Sequence, residues 1–162
     1  MTESIQGKQY EDAVYKEAQA DGTITPGDIL EYTGEDPVTV GRVSSNEPTG
    51  QPLMIAMEPP VPTDASTDPI DETYNDGDLV VFRVLRSGDT ADNAWLASGT
   101  DLATASEANI SVGDFLAPTT GGNRDGLLKE ATTAGAEVAV AREAKDNSGG
   151  AGNNARIHVE AI

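Results

Sequence analysis

The 162-residue chain contains no cysteine, so neither disulfides nor thiolate metal sites contribute to it. It has one histidine and one tryptophan, with four tyrosines and two phenylalanines. One histidine without cysteine makes a zinc site implausible. So few aromatics also leave little material for a stacking platform. Basic residues are scarce: ten Lys and Arg stand against 28 Asp and Glu. No stretch approaches the ~20 apolar residues that cross a bilayer. The start, Met1-Thr2-Glu3-Ser4, lacks the basic and apolar regions of a signal peptide. A soluble protein that does not use the secretory route is expected.

The resulting net charge of -18 argues against nucleic acid, whose phosphates need clustered Lys and Arg. It argues equally against an anionic membrane surface. Only Lys8, Lys16, Lys129 and Lys145 are lysines, and the acids are scattered rather than gathered in a tail. Such a surface suits high salt, where screening removes the self-repulsion. An acidic docking face for a basic partner is the competing explanation.

What is present is punctuated β text, and the fold class expected is all-β: a compact β-barrel or sandwich of short strands with an N-terminal arm. Residues 1–20 read as the arm. Tyr10, Val14 and Ala18 are four apart and would line one helical face, so the arm reads as a short helix or an extended segment that orders against a neighbour, with a frayed terminus as the alternative. Residues 21–162 read as the barrel domain. Val38 to Val43 alternates in period two, and Leu53 to Met57 is a short apolar run closed by Pro59-Pro60. Leu79 to Leu85 is apolar on both faces and should lie centrally. At the end, Ile157, Val159 and Ala161 oppose Arg156, His158 and Glu160. Many short strands with Gly and Pro turns indicate a barrel or sandwich.

Gly-Asp recurs at Gly27-Asp28, Gly77-Asp78, Gly88-Asp89 and Gly113-Asp114. The intervals are unequal, so a local account is preferred to an internal repeat. Glycine supplies the positive φ of a tight turn, and aspartate closes it with a side-chain hydrogen bond. Residues 58–76, rich in Pro and Asp, read as a surface loop. Asn147 to Asn154 reads as a flexible glycine-rich connection.

No catalytic constellation emerges. His158 lies on the polar side of a terminal strand, and no Gly-x-Ser-x-Gly elbow accompanies it. No phosphate-binding glycine loop is followed by lysine, and with 28 acids paired carboxylates carry no information. The loop at Asp64 to Asp78 does not fit the helix-loop-helix calcium spacing. No enzyme, no cofactor and no metal are therefore expected. Trp95 either caps the barrel core or packs at a subunit contact.

Several segments in order resemble the capsid decoration (head cement) proteins of tailed viruses. They are Gln51-Pro52-Leu53 with Ala56 and Glu58, Gly77-Asp78, and Arg83-Val84-Leu85-Arg86-Ser87-Gly88-Asp89. Then come Asn93-Ala94, Leu96-Ala97-Ser98-Gly99, Gly113-Asp114-Phe115-Leu116 and Ala155-Arg156-Ile157-His158-Val159-Glu160. The resemblance spans about Asp21 to Ile162 and departs in the arm and the proline-rich loop. It implies a virion protein on the exterior of an icosahedral head that stabilises the capsid lattice without catalysis. Its partners would be the major capsid protein and itself, as a homotrimer. With the acidity, it suggests a virus of haloarchaea. The interface expected from these readings comprises Ile5, Tyr10, Val14, Tyr15, Pro59, Pro60 and Trp95. The alternative is a β-domain on a turret, tail or cell surface that recognises a glycan or S-layer protein.

Overall fold

The computed structural model describes residues 13–44, 52–60, 68–119 and 125–162. Those residues are all-β, with three short 3-10 turns and no helix long or apolar enough to cross a membrane. The barrel closes twice. Strands β1 (Val14–Ala20), β2 (Ile29–Glu35), β3 (Val38–Arg42), β4 (Leu53–Ala56) and β5 (Leu79–Leu85) form one closed sheet in the order β1-β3-β2-β4-β5. A second closed sheet holds β6 (Thr90–Leu96), β8 (Phe115–Pro118), β9 (Leu128–Glu130), β10 (Ala139–Ala141) and β12 (Ala155–Ala161), in the order β10-β12-β6-β9-β8. A small ribbon joins β7 (Asn109–Ile110) to β11 (Lys145–Asp146).

The two barrels have the same topology. In the first, β1 runs parallel to β3 and antiparallel to β5, while β2 pairs with β3 and β4, and β4 with β5. In the second, β6 runs parallel to β9 and antiparallel to β12, while β8 pairs with β9 and β10, and β10 with β12. Registers agree as well. Tyr32 faces Val40 where Pro118 faces Leu128, and Leu30 faces Met54 where Leu116 faces Ala139. The isolated Ile24–Tyr74 bridge of the first barrel corresponds to the β7–β11 ribbon of the second.

The Gly-Asp recurrence is therefore partly a structural repeat. Gly27-Asp28 opens β2 as Gly113-Asp114 opens β8, and their partners Ala56 and Ala141 make the same backbone bonds to them. The local account also holds. At all four sites glycine has φ between 85° and 96°. The carboxylates of Asp28, Asp78, Asp89 and Asp114 each accept from the amide three residues earlier at 2.7–2.9 Å.

One apolar cluster fills the first barrel, with Ile24, Leu30, Val40, Met54, Val80 and Phe82 among its members. A larger one fills the second barrel and the seam, joining Leu96, Leu116, Leu128, Ile157 and Val159 to Ile29, Leu53, Ile55 and Leu85 of the first. This explains why β5 is apolar on both faces. Val80 and Phe82 point into their own barrel, whereas Val81 and Leu85 pack toward the neighbour.

Three local expectations need correcting. Within the expected arm, Val14–Ala20 is strand β1, hydrogen-bonded on both sides. Its inward residues Ala18 and Ala20 are too small to print an apolar alternation. The return leg of the 58–76 loop is core, since Ile70 and Tyr74 are buried and the Tyr74 hydroxyl donates to Met57 O at 3.0 Å. The glycine-rich connection is pinned. Asn147 Nδ2 donates to Ala97 O, and the Gly152 amide to Ser98 Oγ and Thr100 Oγ1.

Candidate interaction surface

The two barrels meet where the turn Thr25-Pro26-Gly27-Asp28 is pressed against β6 and β12. The Trp95 amide donates to Gly27 O at 3.2 Å. Arg156, opposite Trp95 in the β6–β12 pair, lays its guanidinium over the indole, 3.4 Å from the ring centre. Its Nη1 donates to Pro26 O and Asn93 O, and its Nη2 to Ile70 O and Asp71 Oδ1. Only the planar fork of arginine reaches so many oxygens from one position. A side chain on Gly27 would collide with Arg156 and stand 2.6 Å from Asn93 O, so glycine is required there for space as well as for its φ of 96°.

The seam also encloses Asp28, which is 3% exposed. Burial pushes its carboxyl up to about 7; the Thr25 amide bond and the charges of Arg42 and Arg156 lower it only in part. Arg83, likewise buried, donates from Nη1 to Thr90 O at 3.1 Å and so ties the end of the first barrel to the start of the second.

The matching turn of the second barrel, Ser111-Val112-Gly113-Asp114, has none of the described residues seated on it. Val112 is 64% exposed and Phe115, which follows the turn as Ile29 follows the other, is 53% exposed. A side chain on Gly113 would meet no atom within 4 Å. In the first barrel, Leu79 is 57% exposed on β5, beside Gln19 of β1. These are the prominent uncovered apolar side chains of strand and turn among the described residues, together with Val14, Tyr15, Val38 and Ile162.

The expected interface residues are dispersed. Val14 and Tyr15 are exposed on β1, Pro59 is half-buried and Pro60 exposed beyond β4, and Ile5 and Tyr10 lie outside the described residues. Trp95 lies half-buried at the seam between the barrels, under Arg156. Leu79, Val112 and Phe115 were not singled out beforehand. Leu79 and Phe115 each follow a Gly-Asp turn directly, as Ile29 does, but the exposure of that position is invisible without knowing which turn is covered.

No group of three or more metal-ligating side chains exists among the described residues. His158 is half-exposed, with Nε2 3.4 Å from Asp92 Oδ1 and its backbone amide bonded to Glu143.

No protein-family model matches the chain, and no curated protein matches it significantly. Among solved structures it is similar to the N base of the head fiber gp8.5 of bacteriophage phi29. The TM-score is 0.54 with 16% sequence identity, and the match covers 93% of this chain and 98% of the other. At that identity the likeness is one of fold.

Proposed function

We propose that this protein is a structural component of the exterior of a tailed-virus head, which binds the outer surface of the capsid lattice and stabilises it without catalysis. The observation that carries this reading is the whole-length likeness of both barrels, rather than one, to the base of a phage head fiber. The arrangement suits such a role physically. Two barrels locked by a buried seam make a stiff body, and exposed apolar groups on turn and strand provide contact points. A protein that binds only the mature lattice stabilises it by mass action, and several weak contacts engaged together become strong. The major capsid protein is the partner in this reading. Self-association, in the form of a homotrimer, would multiply those contacts.

The test is cryo-electron microscopy of purified particles carrying this protein. Regular density over the head, at three-fold or quasi-three-fold positions, supports the proposal. Density confined to the tail, or absent from every particle, overturns it.

A further inference from the structure

The repeated topology divides the seam into two halves, a turn and a seat. Within the chain, the turn of the first barrel (Pro26-Gly27, then Ile29) sits on a seat in the second barrel made by Trp95 and its cross-strand partner Arg156. The equivalent seat on the first barrel follows from the registers. Ala20 faces Val40 across the parallel pair as Leu96 faces Leu128, so Gln19 and its partner Leu79 occupy the places of Trp95 and Arg156. Each barrel thus carries one turn and one seat. Contact between the barrels uses one of each, and leaves a turn on the second barrel and a seat on the first.

Both leftover halves are uncovered among the described residues, and each exposes a large apolar side chain, Phe115 on the turn and Leu79 beside polar Gln19 on the seat. Val112 and Phe115 stand where Pro26 and Ile29 are buried, and Leu79 stands where Arg156 is engaged. We propose that a second copy of this chain occupies them, with the Val112/Phe115 turn of one molecule seated on the Gln19/Leu79 strands of the next. The contact is heterologous: the surfaces differ, so repetition gives a ring if the rotation closes and a filament if it does not. It continues between molecules the barrel-to-barrel contact made within one. Apolar complementarity supplies the attraction, and a net charge of -18 per copy opposes it, so association should strengthen as salt screens the repulsion. The inference concerns the free protein in solution and holds whether or not it binds a head.

Sedimentation equilibrium of the full chain tests this, over roughly micromolar to several hundred micromolar protein and at ~0.1 and ~1 M sodium chloride, where the Debye length falls from about 10 to about 3 Å. The expected result is an average mass that rises with concentration, and more steeply at high salt. Phe115→Ser and Leu79→Ser should each abolish this, while their circular dichroism and melting temperature stay those of the parent, since both side chains are more than half exposed. An equimolar mixture of the two variants should form dimers and stop there, because one intact turn meets one intact seat. A parent chain that remains a single molecule throughout overturns the proposal. So does association of Leu79→Ser equal to the parent's, or a mixture that stays monomeric, because either outcome rules out a turn-to-seat contact.

Discussion

Arg156 stacks on Trp95 while donating to Pro26 O, Asn93 O and Ile70 O, so one side chain holds backbone from both barrels. Its removal leaves three carbonyls of the seam without that donor and uncovers the indole. Arg156→Ala should lower unfolding free energy by about 2–4 kcal/mol, given the usual worth of charge-assisted bonds and a partly desolvated cation–π contact. Arg156→Lys should recover less than half of that, because an ammonium cannot serve the same oxygens in a plane. Urea unfolding of both variants at matched pH and salt is the check; parent-like stability of the lysine variant would show that the fork is not needed.

Gly27 and Gly113 occupy the same turn with nearly the same φ, 96° and 93°, but only Gly27 is packed against neighbours. Gly113→Ala should therefore cost only the backbone term, about 1 kcal/mol or slightly more. Gly27→Ala adds a clash with Arg156 and Asn93 O and should cost at least about 2 kcal/mol beyond that. Thermal melts of the pair separate conformational strain from packing at one geometry. Equal losses would mean that the seam opens freely.

Much of this architecture could be read in advance, and for physical reasons. The Gly-Asp turns are local, because glycine's φ and a carboxylate three residues from its amide partner are settled within four residues. Strand β12 was legible because large apolar Ile157 and Val159 alternate with polar residues. Strand β1 was not, since Ala18 and Ala20 line its inner face and alanine is a weak marker of burial. The doubling of the barrel was hidden for another reason. Equivalent positions carry different residues, such as Ile29 and Phe115 or Leu79 and Arg156, because one copy faces the seam where the other faces solvent. Arg156 itself read as the wet face of a strand; its role depends on a turn 130 residues away.

Asp28 makes stability depend on pH in an unusual direction. Its carboxyl is raised from 3.8 to about 7 by burial, so the folded state holds a proton that the unfolded chain releases. The stability it contributes is fully present below about pH 4, falls as pH rises toward 7, and is constant above, at about 1.4 kcal/mol per unit. Other carboxylates superimpose their own slopes, so the informative quantity is a difference. The stability of Asp28→Asn relative to the parent should rise between pH 4 and pH 7 and level off above, in urea titrations at fixed salt. A difference that instead stays flat from pH 4 to pH 7 would mean that Asp28 is charged in the fold and paired with Arg42 or Arg156.

The acidity itself separates two explanations by its response to salt. A charge of -18 dispersed over the surface repels itself in dilute buffer, where the Debye length of roughly 10 Å reaches across neighbouring charges, but not at ~1 M, where it is about 3 Å. Repulsion is relieved on unfolding because the charges move apart, so it subtracts from stability only while unscreened. If the surface is built for high salt, the melting temperature of the single chain should climb steadily from ~0.1 M to molar sodium chloride. Sodium sulfate should raise it further, since it also strengthens apolar burial. Measuring at the lowest workable protein concentration keeps self-association out of the result. If the acids instead form a docking face for a basic partner, the barrels' own cores carry the fold, and the melting temperature in sodium chloride should stay flat. Salt would then act on complex formation with that partner, weakening it as ionic strength rises.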